Sequence, residues 1–170
     1  MKTLTGKTRY AFIAFFASHI PITLIIDSQA AFPGLHPQIF QDLLDWYTNT
    51  FNDSLMRAPF DTWFRAVVFG EILFQLPFFF YAVYGLLNPR KVDGKGVFRS
   101  FCMIYGAHTS TTLLPILVCL AVNPEATLLE KGLVVSMYLP YLIFPLWLVV
   151  ICTLSENVFG STSQEGKKTK

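Results

Sequence analysis

The sequence predicts an all-α, four-helix transmembrane bundle with kinked helices and an amphipathic cap on its lumenal end. Three observations carry that prediction. Of the 170 residues, 53% are hydrophobic and only 14% charged, with a mean hydropathy of +0.47, a balance outside the usual range for a soluble domain. The apolar residues gather into four long segments separated by polar ones, each of a length suited to a hydrocarbon core of ~30 Å. When the chain is threaded up and down through these segments, ten of its thirteen Lys and Arg residues fall on one side, as the positive-inside rule requires.

Composition also excludes some roles. A net charge of +2, with basic residues in short runs between oily segments, gives no footing for nucleic acid, and no nucleic-acid partner is expected. Cys102, Cys119 and Cys152 each lie in an apolar run without CxxC or Cys/His spacing, and read as small buried hydrophobes rather than ligands. No cofactor is expected.

Residues 1–9 are polar and carry Lys2, Lys7 and Arg9. The first span covers about 10–27, broken only by Ser18, His19, Pro21 and Thr23. A basic start, an oily run and Ser28-Gln29-Ala30 also satisfy a secretory signal peptide loosely. The length of the run and its central His19 and Pro21 favour a span. Residues 28–62 form the longest polar connection, with Asp42, Asp45, Asp53 and Asp61 against one Arg57. Inside it Pro37 starts a helix that sets Ile39, Leu43, Trp46 and Tyr47 on one side and Gln41, Asp42 and Asp45 on the other. That pattern fits a cap lying over the membrane end of the bundle; a surface loop with a chance apolar stripe is the alternative. Asn52-Asp53-Ser54 matches a glycosylation sequon.

The second span, about 63–87, stops at Asn88-Pro89. A basic loop with Arg90, Lys91, Lys95 and Arg99 leads to the third span, about 101–122, and a short link leads to the fourth, about 132–154. Residues 155–170 form a polar tail ending Lys167-Lys168-Thr169-Lys170, which matches a dilysine retrieval signal of the endoplasmic reticulum, a receptor-read address. The charge count makes both termini and the basic loop cytoplasmic.

The polar residues set into these spans are the candidate site. Glu71 and Gln75 stand four apart and share a helix face, and an acid within a membrane span is a functional-site hypothesis by default. Asp27, at the end of span one, supplies a partner. Two carboxyls in low dielectric do not both ionise easily, so the expected arrangement is a Glu71 carboxylic acid donating a hydrogen bond to an Asp27 carboxylate. A single negative charge beside an apolar cavity suits a hydrophobic amine, and equally a sterol hydroxyl. Tyr138 and Tyr141 share a face of span four and either line that cavity, stacking on a cation, or serve as core aromatics. His19 and His108 read as hydrogen-bonded structural residues, or as a proton relay or metal site with Glu71, although no H-x-x-x-H or H-x-x-E-H spacing supports a metal. Every span contains proline (Pro21, Pro77, Pro115, Pro140 and Pro145), and such bends pack imperfectly enough to leave a cavity.

Several of these stretches together resemble a known family. Ser18-His19-Ile20-Pro21-Ile22-Thr23-Leu24 with Asp27, then Glu71-Ile72-Leu73-Phe74-Gln75-Leu76-Pro77, then His108-Thr109-Ser110-Thr111-Thr112, then Tyr138-Leu139-Pro140-Tyr141 closely resemble the sigma-2 receptor family of the EXPERA group, whose enzyme relative is the emopamil-binding sterol isomerase. The resemblance spans about residues 10–154. It implies a four-helix protein of the endoplasmic-reticulum membrane, often a homodimer, with a cavity that opens laterally to the bilayer and binds sterols and cationic amphiphilic small molecules. It further implies that Asp27 is the amine-binding acid, Glu71 its buried partner, Asp53 a second acid closing the site, and Gln75, Thr112, Tyr138 and Tyr141 lining residues. A role in cholesterol homeostasis, with a membrane-protein partner in sterol transport, comes with the family. No catalytic residue is assigned. The isomerase alternative requires an acid and a base across a carbocation, and Val67 stands where the isomerase carries a histidine, which weakens it. A membrane chaperone or adaptor with an incidental cavity is the remaining alternative.

Overall fold

The structure, a computed structural model, describes residues 3–160. The dilysine motif lies outside the described residues. Five helical rods follow one another: α1 (Gly6–Ala31), α2 (Gln38–Phe51), α3 (Thr62–Leu87), α4 (Val97–Val122) and α5 (Leu128–Leu154). All but α2 are long and apolar enough to cross a membrane, spanning roughly 39 Å each at 1.5 Å per residue.

Local chemistry sets several of their ends. α5 starts at Leu128, four residues before the sequence placed it, because Thr127 and Glu130 form a capping box. The Thr127 hydroxyl accepts from the Glu130 amide at 3.3 Å, and the Glu130 carboxylate accepts from the Thr127 amide at 2.7 Å. Arg57 donates to the carbonyl of Thr48 at 3.1 Å near the C-terminus of α2, and Asn52 closes that helix with φ of 54°. Its side-chain oxygen also accepts from Arg57, at 3.3 Å.

α1 packs antiparallel along α3, with Thr23 on Glu71 and Phe16 on Phe78, and α4 packs antiparallel along α5, with Arg99 on Cys152 and Gly106 on Pro145. Rings tie α1 to α5 at Phe12 and Phe144 and to α4 at Phe16 and Tyr105. Gly106 of α4 meets the backbone of α5 closely: a Cβ built there would lie 2.5 Å from Cγ2 of Val149 and 2.8 Å from the carbonyl of Pro145. Ring packing fills the half nearer the basic loop, where Phe15 and Phe144 stack at 4.5 Å and Phe78 stacks on Tyr105 at 4.6 Å. Leu4 and Val158 close this end. Both are fully buried, and the Leu4 amide donates to Val158 at 2.6 Å. A second apolar cluster, built on Phe64, Val68, Leu113, Ile116 and Val134, fills the half nearer α2.

α2 docks on that end through α1. Gln29, 4% exposed, donates to the carbonyls of Ile25 and Phe40, both at 2.8 Å, and Ser28 bonds to His36 at 2.8 Å. The apolar stripe expected to lie flat on the bundle is divided. Leu44 and Thr48 are the buried positions, while Ile39, Leu43 and Trp46 are exposed. A helix at a membrane surface has two apolar neighbours to satisfy, the bundle below and the lipid beside it.

α1 and α3 each contain one turn of π-helix, at Thr23–Asp27 and Glu71–Gln75. Pro21 precedes the first by two residues, and Pro77 follows the second by two. Widened turns of this kind concentrate at functional sites. Here each one carries a carboxyl predicted to bind ligand.

Candidate ligand-binding site

The two π turns face each other across the α1–α3 contact. Glu71 sits nine residues after the start of α3, roughly 14 Å down the helix, and its side chain is 14% exposed. On α1, His19, Thr23 and Asp27 recur every four residues and so form a row along one face. Thr23 donates its hydroxyl proton to Oε1 of Glu71 at 2.5 Å. Nε2 of His19 lies 3.4 Å from the same oxygen. His19 is itself clamped between rings, 4.5 Å from Phe79 on one side and 4.5 Å from Tyr141 on the other.

Around this row lies a cavity of about 330 Å³, within the usual range for a small-molecule site. Asp27, Glu71, Gln75, Thr112, Tyr138 and Tyr141, the predicted lining residues, all border it. Gln75, 5% exposed, is held by Thr109, whose hydroxyl donates to its carbonyl oxygen at 2.9 Å. Thr112 spends its own proton on the carbonyls of His108 and Thr109, which leaves its oxygen free to accept. Val67 is in the wall, one turn before Glu71. Ile22, Ile26, Phe64 and Ile116 make most of the remainder apolar. Three lining residues are also exposed on the outside, namely Leu43, Trp46 and Met137, so the mouth lies between α2 and α5.

Two expectations change. The hydrogen bond from Glu71 to Asp27 is not formed among the described residues; Glu71 is engaged by Thr23, and Asp27 makes no hydrogen bond of its own. Asp53 is not in the cavity wall. It is fully buried behind it, accepting from Tyr138 at 2.7 Å, Tyr47 at 3.0 Å, and the amides of Leu55 and Met56 at 3.1 and 3.2 Å. Four donors on one carboxylate make it an anchor. It ties α2, through Tyr47, to α5, through Tyr138. Burial first, and the neighbouring Asp53 charge second, push the Tyr47 hydroxyl well above the usual tyrosine range.

Residues 39–152 match the family described as EXPERA, the expanded EBP superfamily. Over 149 residues the chain is 42% identical to sigma intracellular receptor 2 of Homo sapiens, covering 80% of this chain and 81% of that one. The chain belongs to the EXPERA family. It is 36% identical to sigma intracellular receptor 2 of Xenopus tropicalis over 155 residues, 86% of this chain and 88% of the relative. It is also 29% identical over 137 residues to efficient mitochondria targeting-associated protein 19 of Schizosaccharomyces pombe, 80% of this chain and 69% of the relative.

As an EXPERA membrane protein, the chain builds its polar centre from α1 and α3, and sequence reasoning found only part of it. Thr23 and Tyr47 were missed as site residues, although Thr23 stands four residues from both His19 and Asp27. His108 was weighed together with His19, yet only His19 faces Glu71. His108 lies outside the cavity, beside Phe74, with Nδ1 3.5 Å from Gln75. The absence of local histidine motifs also concealed a grouping that forms in space: ligand atoms of His19, Asp27 and Glu71 lie within 4.8 Å of one another.

Proposed function

We propose that this EXPERA protein binds sterols and cationic amphiphilic molecules in its intramembrane cavity. One observation carries the reading: Asp27, without a hydrogen bond of its own, stands beside Glu71 at the polar end of a largely apolar cavity lined by Tyr138 and Tyr141. A hydrophobic amine satisfies all three features, with its ammonium on Asp27, a ring face on a tyrosine and its body against the apolar wall. A sterol places its hydroxyl on the same carboxyls. The relatives named sigma intracellular receptor 2 support a receptor-like role over catalysis. The protein acts in the endoplasmic-reticulum membrane, as a homodimer, with both termini cytoplasmic. It serves sterol homeostasis or trafficking together with a membrane-protein partner.

The test uses purified full-length protein in lipid nanodiscs and a radiolabelled hydrophobic amine. Asp27→Asn and Glu71→Gln each abolish saturable binding while the melting temperature holds. Full affinity in both variants would overturn the site. Conversion of a Δ8-sterol to its Δ7 isomer in the same preparation would favour the isomerase instead, with His19 beside Glu71 supplying an imidazole that Val67 does not.

A further inference from the structure

We propose that His19, Asp27 and Glu71 form a binding site for a divalent transition metal ion, best matched by zinc. The proposal stands independently of the amine reading, although it uses two of the same residues.

Three features lead to it. The first is the donor set. One imidazole nitrogen and two carboxylate oxygens, from two different helices, lie within 4.8 Å of one another. Bond lengths of about 2.0–2.2 Å around a tetrahedral zinc place ligand atoms roughly 3.3–3.6 Å apart, so the side chains close on the ion by about an ångström through their own torsions. Three protein ligands with a fourth position open to water or substrate is the usual form of a reactive zinc site.

The second is His19. It is 6% exposed, yet Nδ1 has no partner and Nε2 reaches only to 3.4 Å from Glu71, beyond the 2.7–3.2 Å of an N–H···O bond. A buried imidazole without a good hydrogen bond, directed at a carboxylate, is a group awaiting a ligand. Stacking on Phe79 and Tyr141 already fixes its plane.

The third is charge. Two carboxyls in an apolar cavity do not both ionise easily on their own. A dication that displaces the proton they retain answers both carboxylates at once, leaving a neutral assembly in low dielectric. Calcium needs six to eight oxygens and magnesium a wet octahedron, neither of which this wall provides. A mixed nitrogen and oxygen set favours zinc among the available divalent ions.

The full-length chain in phosphatidylcholine nanodiscs, stripped with a chelator, is titrated with zinc chloride against a zinc indicator, with no amine present. One chelator-reversible zinc per chain is expected. His19→Gln and Asp27→Asn each weaken it about tenfold or more, whereas His108→Gln, outside the cavity, leaves it unchanged. X-ray absorption at the zinc edge of the unmutated protein shows nitrogen and oxygen ligands without sulfur, a readout that needs no variant to fold. Absence of stoichiometric zinc, sulfur in the shell from the buried cysteines, or unchanged affinity in a folded His19→Gln protein overturns the proposal. Failure of amine binding leaves each of these readouts unaffected.

Discussion

Thr23 and Glu71 join the first and third helices through a 2.5 Å hydrogen bond from hydroxyl to carboxyl oxygen. Thr23 is fully buried, so removal of the hydroxyl takes from Glu71 the one hydrogen-bond donor it has among the described residues. Thr23→Val keeps the shape and deletes that bond. It is expected to lower stability by about 1–3 kcal/mol, measured by thermal unfolding in detergent. Amine affinity falls as well, by less than in Glu71→Gln, because the acid remains but is no longer held.

Asp53 gives a different kind of loss. Its carboxylate receives four donors and touches no cavity space, so its substitution acts through the frame. Asp53→Ala leaves those donors unpaired and should cost about 3 kcal/mol or more. Tyr138→Phe removes one of them and costs about 1 kcal/mol. Ligand affinity tracks the melting temperature in these variants, whereas in Asp27→Asn affinity disappears at constant melting temperature. Comparing the two readouts across the three variants checks the distinction.

The same anchor sets an alkaline limit. Tyr47 has a hydroxyl pushed above its usual value near 10.0, by burial and then by Asp53. The folded protein therefore holds this proton more tightly than the unfolded chain. Its contribution is complete below about pH 10 and is lost as the pH rises further. Melting temperature should fall above pH 10, and Tyr47→Phe should flatten that part of the profile.

Much of the bundle was legible from the sequence because lipid imposes simple rules: apolar runs are long, and polar residues within them are rare and therefore conspicuous. Glu71 and Gln75 stood out for that reason, and Asp27 followed from chain order. Asp53 was assigned to the site by resemblance alone. Nothing in its neighbourhood in sequence reveals that two tyrosines, one of them 85 residues away, saturate its oxygens. Thr23 was invisible because a threonine in a span ordinarily bonds to its own helix. The π turns were hidden too, since five residues are too few for a period longer than 3.6 to register.

Helix contact at Gly106 predicts a further contrast. Gly106→Ala drives a methyl group toward the Pro145 carbonyl, and backbone cannot move aside as a side chain does. A loss of about 1–3 kcal/mol is expected. Gly132→Ala, in the same pair of helices, meets nothing within 4 Å and should be neutral or slightly stabilising. Thermal unfolding of the two variants side by side decides it.

The mouth of the cavity can be tested kinetically. Trp46, Leu43 and Met137 are exposed and also border the cavity. Trp46→Ala should speed both association and dissociation of a labelled amine, by several-fold, with a smaller change in affinity. Equal effects on affinity and dissociation, with association unchanged, would place Trp46 in the ligand contact instead.

Each π turn amounts to one surplus residue in its helix, and a residue of α-helix is worth about 100° of rotation. Deleting Leu73, for example, would let α3 close into regular helix with Phe78 and Phe79 still in phase on Phe16. The surplus residue is absorbed within its own turn, so the aromatic half of the bundle packs alike with or without it. What the deletion would remove is the widened turn that sets Glu71 against Thr23, and the carboxyl can thus be re-aimed without repacking the core.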